Sequence, residues 1–319
     1  MSNIRRVTCP IIILSALCFA AGEARAQLAR TFVSSSGSDA NNCDRLTPCR
    51  TFQHAHDATL ASGEITVLDP GGYGSMIITR AISIINDGVG EAGVLVSGGG
   101  AGITVNAGVS DAVSLRGITI KGIGFGGGNG VVFNHGLSLS VENCTIRNLD
   151  GTNLGNGILF QPNAASGLAV SNTVVTDNAA DGILLLPTGT ADVNASFNRV
   201  EIYNSAGNGG LSVSSFSTTG MVNAFVTDSI VKGSANFGVV AGGGSGAVNM
   251  TLLRSVIAKN QGGVWAAGAG VTLRVGQTTV TGNLFGWNAV AGGVLQSYGD
   301  NNINGNNGNE APMPILSKK

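Results

Sequence analysis

Charge and aromatic rings are both scarce in this 319-residue sequence: Asp, Glu, Lys and Arg together make up 11% of it, and Phe, Trp and Tyr 5%. The 17 basic and 18 acidic residues nearly cancel, for a net charge of −1. That balance excludes the basic footprint of a nucleic-acid-binding protein. No apolar run approaches the roughly 20 residues a bilayer-spanning helix needs; IIILSALCFA (Ile11–Ala20) is too short and too near the start. From residue 65 onward no window of ten or more residues carries helical spacing, so a helical domain is excluded as well. Disorder is equally excluded, because a chain that is 43% hydrophobic and almost neutral must bury itself. What is abundant is glycine, with 50 residues, far from the composition of an ordinary enzyme domain.

The first 26 residues have the order of a secretory signal. Arg5 and Arg6 precede the apolar run, and Ala24-Arg25-Ala26 precedes Gln27, where cleavage is expected. Cys18 follows Leu17, where a lipoprotein signal would place a small residue, so no lipid anchor is expected. The expected location is secreted or periplasmic. In an exported chain the near neighbours Cys43 and Cys49 predict a short-loop disulfide. Cys144 is then the odd cysteine and is expected to be a buried structural thiol.

The glycines recur. Gly-apolar pairs stand at Gly74-Ser75 (weakly), Gly102, Gly130, Gly157, Gly182, Gly210, Gly238, Gly263 and Gly286, spaced 23 to 28 residues apart. A sustained period of this size marks a solenoid. Each period contains short Val-, Ile-, Leu- and Thr-rich stretches such as LAVSN, TVVTD and GILLL, separated by Gly, Asn and Ser, which predicts three short strands per coil. Coils wound this way stack in parallel about 4.8 Å apart. Leucine-rich repeats have a similar period, but their second half supplies helix or Leu where this chain has Gly, Ala and Asn. Propeller blades are too long, and the GGxGxDxUx phrase of calcium-binding nonapeptides is missing.

Within this frame Ile120, Ile146, Val175, Ile202, Val231, Ile257 and Val280 are the predicted inward anchors of successive coils. Asn148, Asn178, Asn204, Asn236, Asn260 and Asn283 follow them by two to five residues, at the turn, where Asn tolerates a left-handed backbone and its amide can bond to a stacked counterpart. The glycines serve the next corner by lacking a Cβ. Residues 27–64 are read as an entry segment and cap, 65–305 as the coils and 306–319 as a tail of loose residues. Thr51–Leu60 is the capping-helix candidate, with Phe52, Ala55 and Thr59 on one face; His54 and His56 do not share a face and are expected to be exposed and metal-free. A poorly covered C-terminal end would leave open strand edges.

The segment FVSSSGSDANNCDRLTPCRTFQHAHDA (Phe32–Ala58), followed by VLDPGGYGSMIITRAISI (Val67–Ile84), resembles the entry segment of the right-handed parallel β-helix proteins of the pectin-lyase-like superfamily, and the later coils resemble its repeats. The resemblance implies an all-β right-handed parallel β-helix with a short N-terminal capping helix, but only weakly a chemistry, since one fold hosts many functions.

Each enzymatic class of that superfamily would leave a physical trace. Hydrolases need paired carboxylates on one face; the adjacent Asp-Asp and Gly-His-Gly phrases are missing, and His135 stands without a carboxylate pair. Lyases need carboxylates to hold Ca²⁺ and a base to take a proton. The register offers one carboxylate group, Asp150, Asp177 and Asp181, the catalytic candidates if the chain is an enzyme. Arg116 and Glu142, four places before their anchors, are expected to form an exposed ion pair. One place after the anchors come Lys121, Arg147, Thr176, Tyr203, Lys232, Ala258 and Thr281, an outward column in which Lys121, Arg147, Tyr203 and Lys232 would suit an acidic polysaccharide. The compact coils leave little to wall in a substrate, which points to a non-catalytic secreted protein that binds polysaccharide or serves a surface role. The alternative is a polysaccharide lyase, ahead of a glycoside hydrolase, acting on an acidic glycan. No cofactor or metal is expected beyond Ca²⁺ in the lyase reading.

Overall fold

A computed structural model describes residues 27–123, 127–151 and 155–317; the proposed signal, residues 1–26, lies outside them. Three parallel sheets of 11, 10 and 9 strands run the length of the solenoid. A typical coil takes one strand from each: Ser138–Glu142 in the first sheet, Thr145–Arg147 in the second and Ile158–Phe160 in the third, before the chain returns to the first at Ser166–Ser171. Every strand pairs with the equivalent strand one coil away. Where the outer face is open, strands alternate in burial, as in Val193–Asn198 and Ala247–Leu253, and the inward residues form one continuous apolar core.

The anchors hold. Ile120, Ile146, Val175, Ile202, Val231, Ile257 and Val280 face one another in the second sheet, and Ile303 extends the column. The residues after Gly102, Gly130, Gly157, Gly182, Gly210, Gly238, Gly263 and Gly286 likewise align in the third sheet. Gly74-Ser75 does not belong to that column, because Met76 is the partner of Ile103. The column is glycine for want of room: a Cβ on Gly263 would sit 2.2 Å from the Gly286 carbonyl oxygen.

The predicted single Asn column resolves into separate ones. Asn148, Asp177, Asn204, Gly233, Lys259 and Gly282, two places after the anchors, all have positive φ and make the turn itself. One place further, Asn178, Asn260 and Asn283 point inward and are buried, and amides stack there, Asn260 on Asn283 (3.0 Å) and Asn283 on Asn306 (2.9 Å), as they also do between Asn156 and Asn129 (2.9 Å). Asn236, five places after its anchor, instead bonds the Gly207 carbonyl. At the corner between the first and second sheets one positive-φ residue per coil suffices, for example Asn143, Asn172, Arg199 and Asp228. The residue after it points inward, and Thr173, Ser229, Ser255 and Thr278 accept the backbone N–H of the preceding coil there. Cys144 occupies this hydroxyl column and is buried, with burial pushing its thiol up to about 11.

At the N-terminal side, Cys43 and Cys49 form the expected disulfide. Helix α1 spans Phe52–Ala58, shorter than predicted, because Thr59 already begins the next strand. Thr51 caps it through its hydroxyl. Phe52 and Ala55 are buried as expected, but His56 is buried rather than exposed: its Nε2 accepts the Thr79 N–H and its Nδ1 meets Asp57. At the other end residues 306–317 are not loose. Met313 is 2% exposed in the core, Ile315 bridges to Ser297, and Trp287 donates to the Ala311 carbonyl. Among the described residues no helix is long and apolar enough to cross a membrane.

Candidate functional site

The outward column of the second sheet lies in the predicted register, Lys121 beside Arg147, Thr176 beside Tyr203 and Tyr203 beside Lys232. Its charge is partly spent on neighbours. Lys121 Nζ sits 2.8 Å from Glu91, and the Tyr203 hydroxyl donates to Glu201 at 2.8 Å. Burial and the Glu201 carboxylate push the Tyr203 phenol up to about 12. Among the described residues Arg147 and Lys232 have no ion-pair partner, and both are exposed. Arg116 does neighbour Glu142 in register, but the ion pair it makes is with Asp87 (3.7 Å), across the other side.

The three aspartates do not converge. No group of three carboxylates among the described residues brings its oxygens within 4.8 Å. Asp150 is exposed and accepts the Gly127 N–H; Asp177 is exposed at a positive-φ turn and accepts from Asn204 and Thr176. His135 ends its strand exposed. Among the described residues the one trio of metal-ligand types that does converge is Cys43, Cys49 and His54, and the disulfide removes its thiolates.

Asp181 is different. It is 4% exposed at the turn into strand Ile183–Leu185 and accepts the Gly209 N–H at 3.0 Å. Burial pushes its carboxyl above the ordinary value, against the pull of the Gly209 N–H, the nearby Ser212 hydroxyl and the Asn208 N–H. Ser212 itself is 3% exposed, and its hydroxyl closes no hydrogen bond of normal geometry.

Asp181 and Ser212 belong to a groove of about 550 Å³ on the outer face of the third sheet. The floor is the outward row Leu184, Ser212, Val240, which continues in register to Trp265. One wall is the turns from the second sheet, around Asp181, Gly207 and Asn208; the other is Leu186 and the ring of Phe216. The walls explain why outward side chains are buried here: Gly209–Ser214 is buried at all six positions, whereas every strand of the second sheet's outward column has at least one position that is not. Phe216 can approach because residue 242 is glycine; a Cβ there would already lie 3.0 Å from its ring. Beside Val240 the rings of Trp265 and Phe237 pack with centroids 4.4 Å apart.

The fold has solved counterparts. The pectate lyase Pel9A superposes with a TM-score of 0.60 at 16% identity, covering 86% of this chain and 75% of its own. This is the pectin-lyase-like β-helix fold. A GH136 lacto-N-biosidase from Eubacterium ramulus also superposes, with a TM-score of 0.51 at 12% identity over 91% of this chain and 67% of that one. No known family profile and no curated protein matches the sequence. On this pectin-lyase-like frame the sequence reasoning singled out the second sheet's outward column and missed the groove. The same alternation applied one place after the Gly-apolar pair reads Leu184, Ser212, Val240 and Trp265, and would have found its floor.

Proposed function

We propose that this chain is an exported β-helix that binds polysaccharide in the groove of the third sheet without cleaving it. The observation that carries this reading is the lining: among its described residues Asp181 is the one carboxyl, and there is no Lys, Arg or His. Glycoside hydrolysis uses two carboxyl groups, and β-elimination needs a base beside a bound cation. The order of residues 1–26 and the Cys43–Cys49 disulfide support export. Phe52 and Ala55, the buried face of α1, support a capping role for that helix at the first coil.

A second reading places an acidic glycan along Lys121, Arg147, Tyr203 and Lys232, favoured by the exposed Arg147 and Lys232. The enzymatic alternative rests on Asp150, Asp177 and Asp181. Both are tested with the mature protein and a panel of polyuronates and neutral glycans, with and without Ca²⁺. Retardation in affinity gels with no new reducing ends is the expected result. Release of reducing ends would overturn the non-catalytic reading and direct attention to Asp181; retardation lost in the Arg147→Ala/Lys232→Ala double variant would move the site to the second sheet.

A further inference from the structure

Three surfaces compete for a ligand. The outer face of the first sheet is a shallow depression around Asn194, Asn223 and Phe225, whose amides already bond to each other. The depression at Glu91 and Lys121 is closed by their own ion pair. Among the described residues the third-sheet groove alone combines walls, a buried hydroxyl that closes no hydrogen bond of normal geometry and aromatic rings, and its chemistry says which glycan it takes.

A carboxylated sugar entering this groove would lose water and find no counter-charge. The described lining carries no cation, and Asp181, if ionised, repels a second carboxylate; if protonated, it offers no charge at all. Desolvating an anion without a partner is costly in either case. A neutral sugar meets no such penalty. Its hydroxyls match the unpartnered Ser212 Oγ, the Asp181 carboxyl and the exposed Asn208 amide. Its C–H faces match aromatic rings, whose electron-rich faces attract polarised C–H groups. The Phe216 ring walls the groove, and Trp265 extends the floor one strand beyond Val240, packed against Phe237. Floor positions one coil apart repeat at about 4.8 Å, so a chain laid along the solenoid axis meets Leu184, Ser212, Val240 and Trp265 in turn.

We infer that the groove selects an uncharged glycan chain, lying along the solenoid axis with Asp181 and Ser212 reading its hydroxyls and Trp265 stacking on a sugar ring. This rests on the binding function proposed above and adds the substrate class to it.

The test measures affinity of the mature protein for soluble xylan, galactomannan and mixed-linkage glucan against polygalacturonate and alginate, by calorimetry and affinity gels. Binding to at least one neutral glycan and to neither polyuronate is expected, unchanged in NaCl from about 0.01 to 1 M, the range that screens exposed charge. Trp265→Ala should weaken that binding about tenfold, the scale of one aromatic contact, and Trp265→Phe should restore much of it. Identical thermal melting of the two variants would separate lost stacking from lost folding. Preference for a polyuronate, falling with salt, would overturn this inference while leaving polysaccharide binding intact. Binding to none of the five would overturn both. Neutral-glycan binding indifferent to Trp265→Ala would remove the stacking subsite and with it the proposed path.

Discussion

The corner between the second and third sheets is built two ways in one molecule. From Ile257 onward its inward position holds Asn260, Asn283 and Asn306, and each amide is fully used. Asn283 Oδ1 takes both the backbone and side-chain N–H of Asn260, while its Nδ2 reaches the Ile257 carbonyl and Asn306. In the preceding coils the same position holds Asn178, Ser205 and Ser234, all buried, and Asn178 Nδ2 and both hydroxyls have no partner. An amide carries donor and acceptor on opposite sides and so spans the gap between coils; a hydroxyl on one short bond does not. Serine is not at fault in itself. At the opposite corner Ser255 is satisfied both ways, accepting the Ser229 N–H and donating to the Leu253 carbonyl two residues back. The fourth unpartnered buried atom among the described residues is Ser212 Oγ, in the groove. All four fall between Asn178 and Ser234, the coils that build the groove, so polar satisfaction is relaxed where the surface is shaped, as functional sites commonly are.

The comparison breaks most visibly at the complete end. Asn283→Ala strips partners from Asn260 and from the Ile257 carbonyl, and should cost about 3 kcal/mol, since each buried orphan is worth roughly 1–3 kcal/mol; chemical denaturation measures it, and a loss below about 1 kcal/mol would show that the ladder is decorative. The reverse change sharpens the comparison. Ser234→Asn places an amide where its Oδ1 can take the Ser205 N–H, in a corner shaped like that of Asn260, and should raise stability by about 1 kcal/mol, visible as a higher Tm. A lower Tm would mean that the groove coils have no room for the longer side chain.

The smallest effect concerns pH. Burial raises the folded-state pKa of Asp181 above its unfolded value of 3.8. Between those two values the folded state holds more protons, so this group's contribution to stability is present at lower pH and is lost as pH rises through the window. Asp39, Asp69 and Asp228 have lowered values and act oppositely, losing their contribution as pH falls. Asp181→Asn should therefore flatten the decline on the alkaline side of pH 4 and leave the acid side unchanged; melting curves across that range decide it.

Most of the fold was readable because the period forces identical residues to identical places. The anchors from Ile120 to Val280 and the Gly102–Gly286 column could be aligned by subtraction alone. The first coil was misaligned at Gly74, where the entry segment has not yet settled into the repeat. The Asn residues were merged because backbone conformation and side-chain direction differ by one position, and a frequency count does not separate Asn204, at the left-handed turn, from Asn283, in the ladder. The groove was invisible for a different reason. Its walls come from loops whose lengths look unremarkable, and the place of Phe216 depends on Gly242 and Gly244 one coil away. Asp181 was named beside Asp150 and Asp177 by proximity in sequence, yet four residues of turn carry it from the exposed surface at Asp177 to a buried one.

The seated Met313 has a further meaning. A stack of parallel strands carries no internal instruction to stop: the last coil offers the next one the same carbonyls and amides that it received from the coil before. Any matching strand, including one from another copy, could continue the series. By folding back so that Ile315 meets Ser297 and Met313 fills the open core, residues 306–317 cover the edge that the last coil would otherwise offer. The stack is thus closed at this end by a plug rather than left as an open edge, and a fibre-forming geometry stays discrete there.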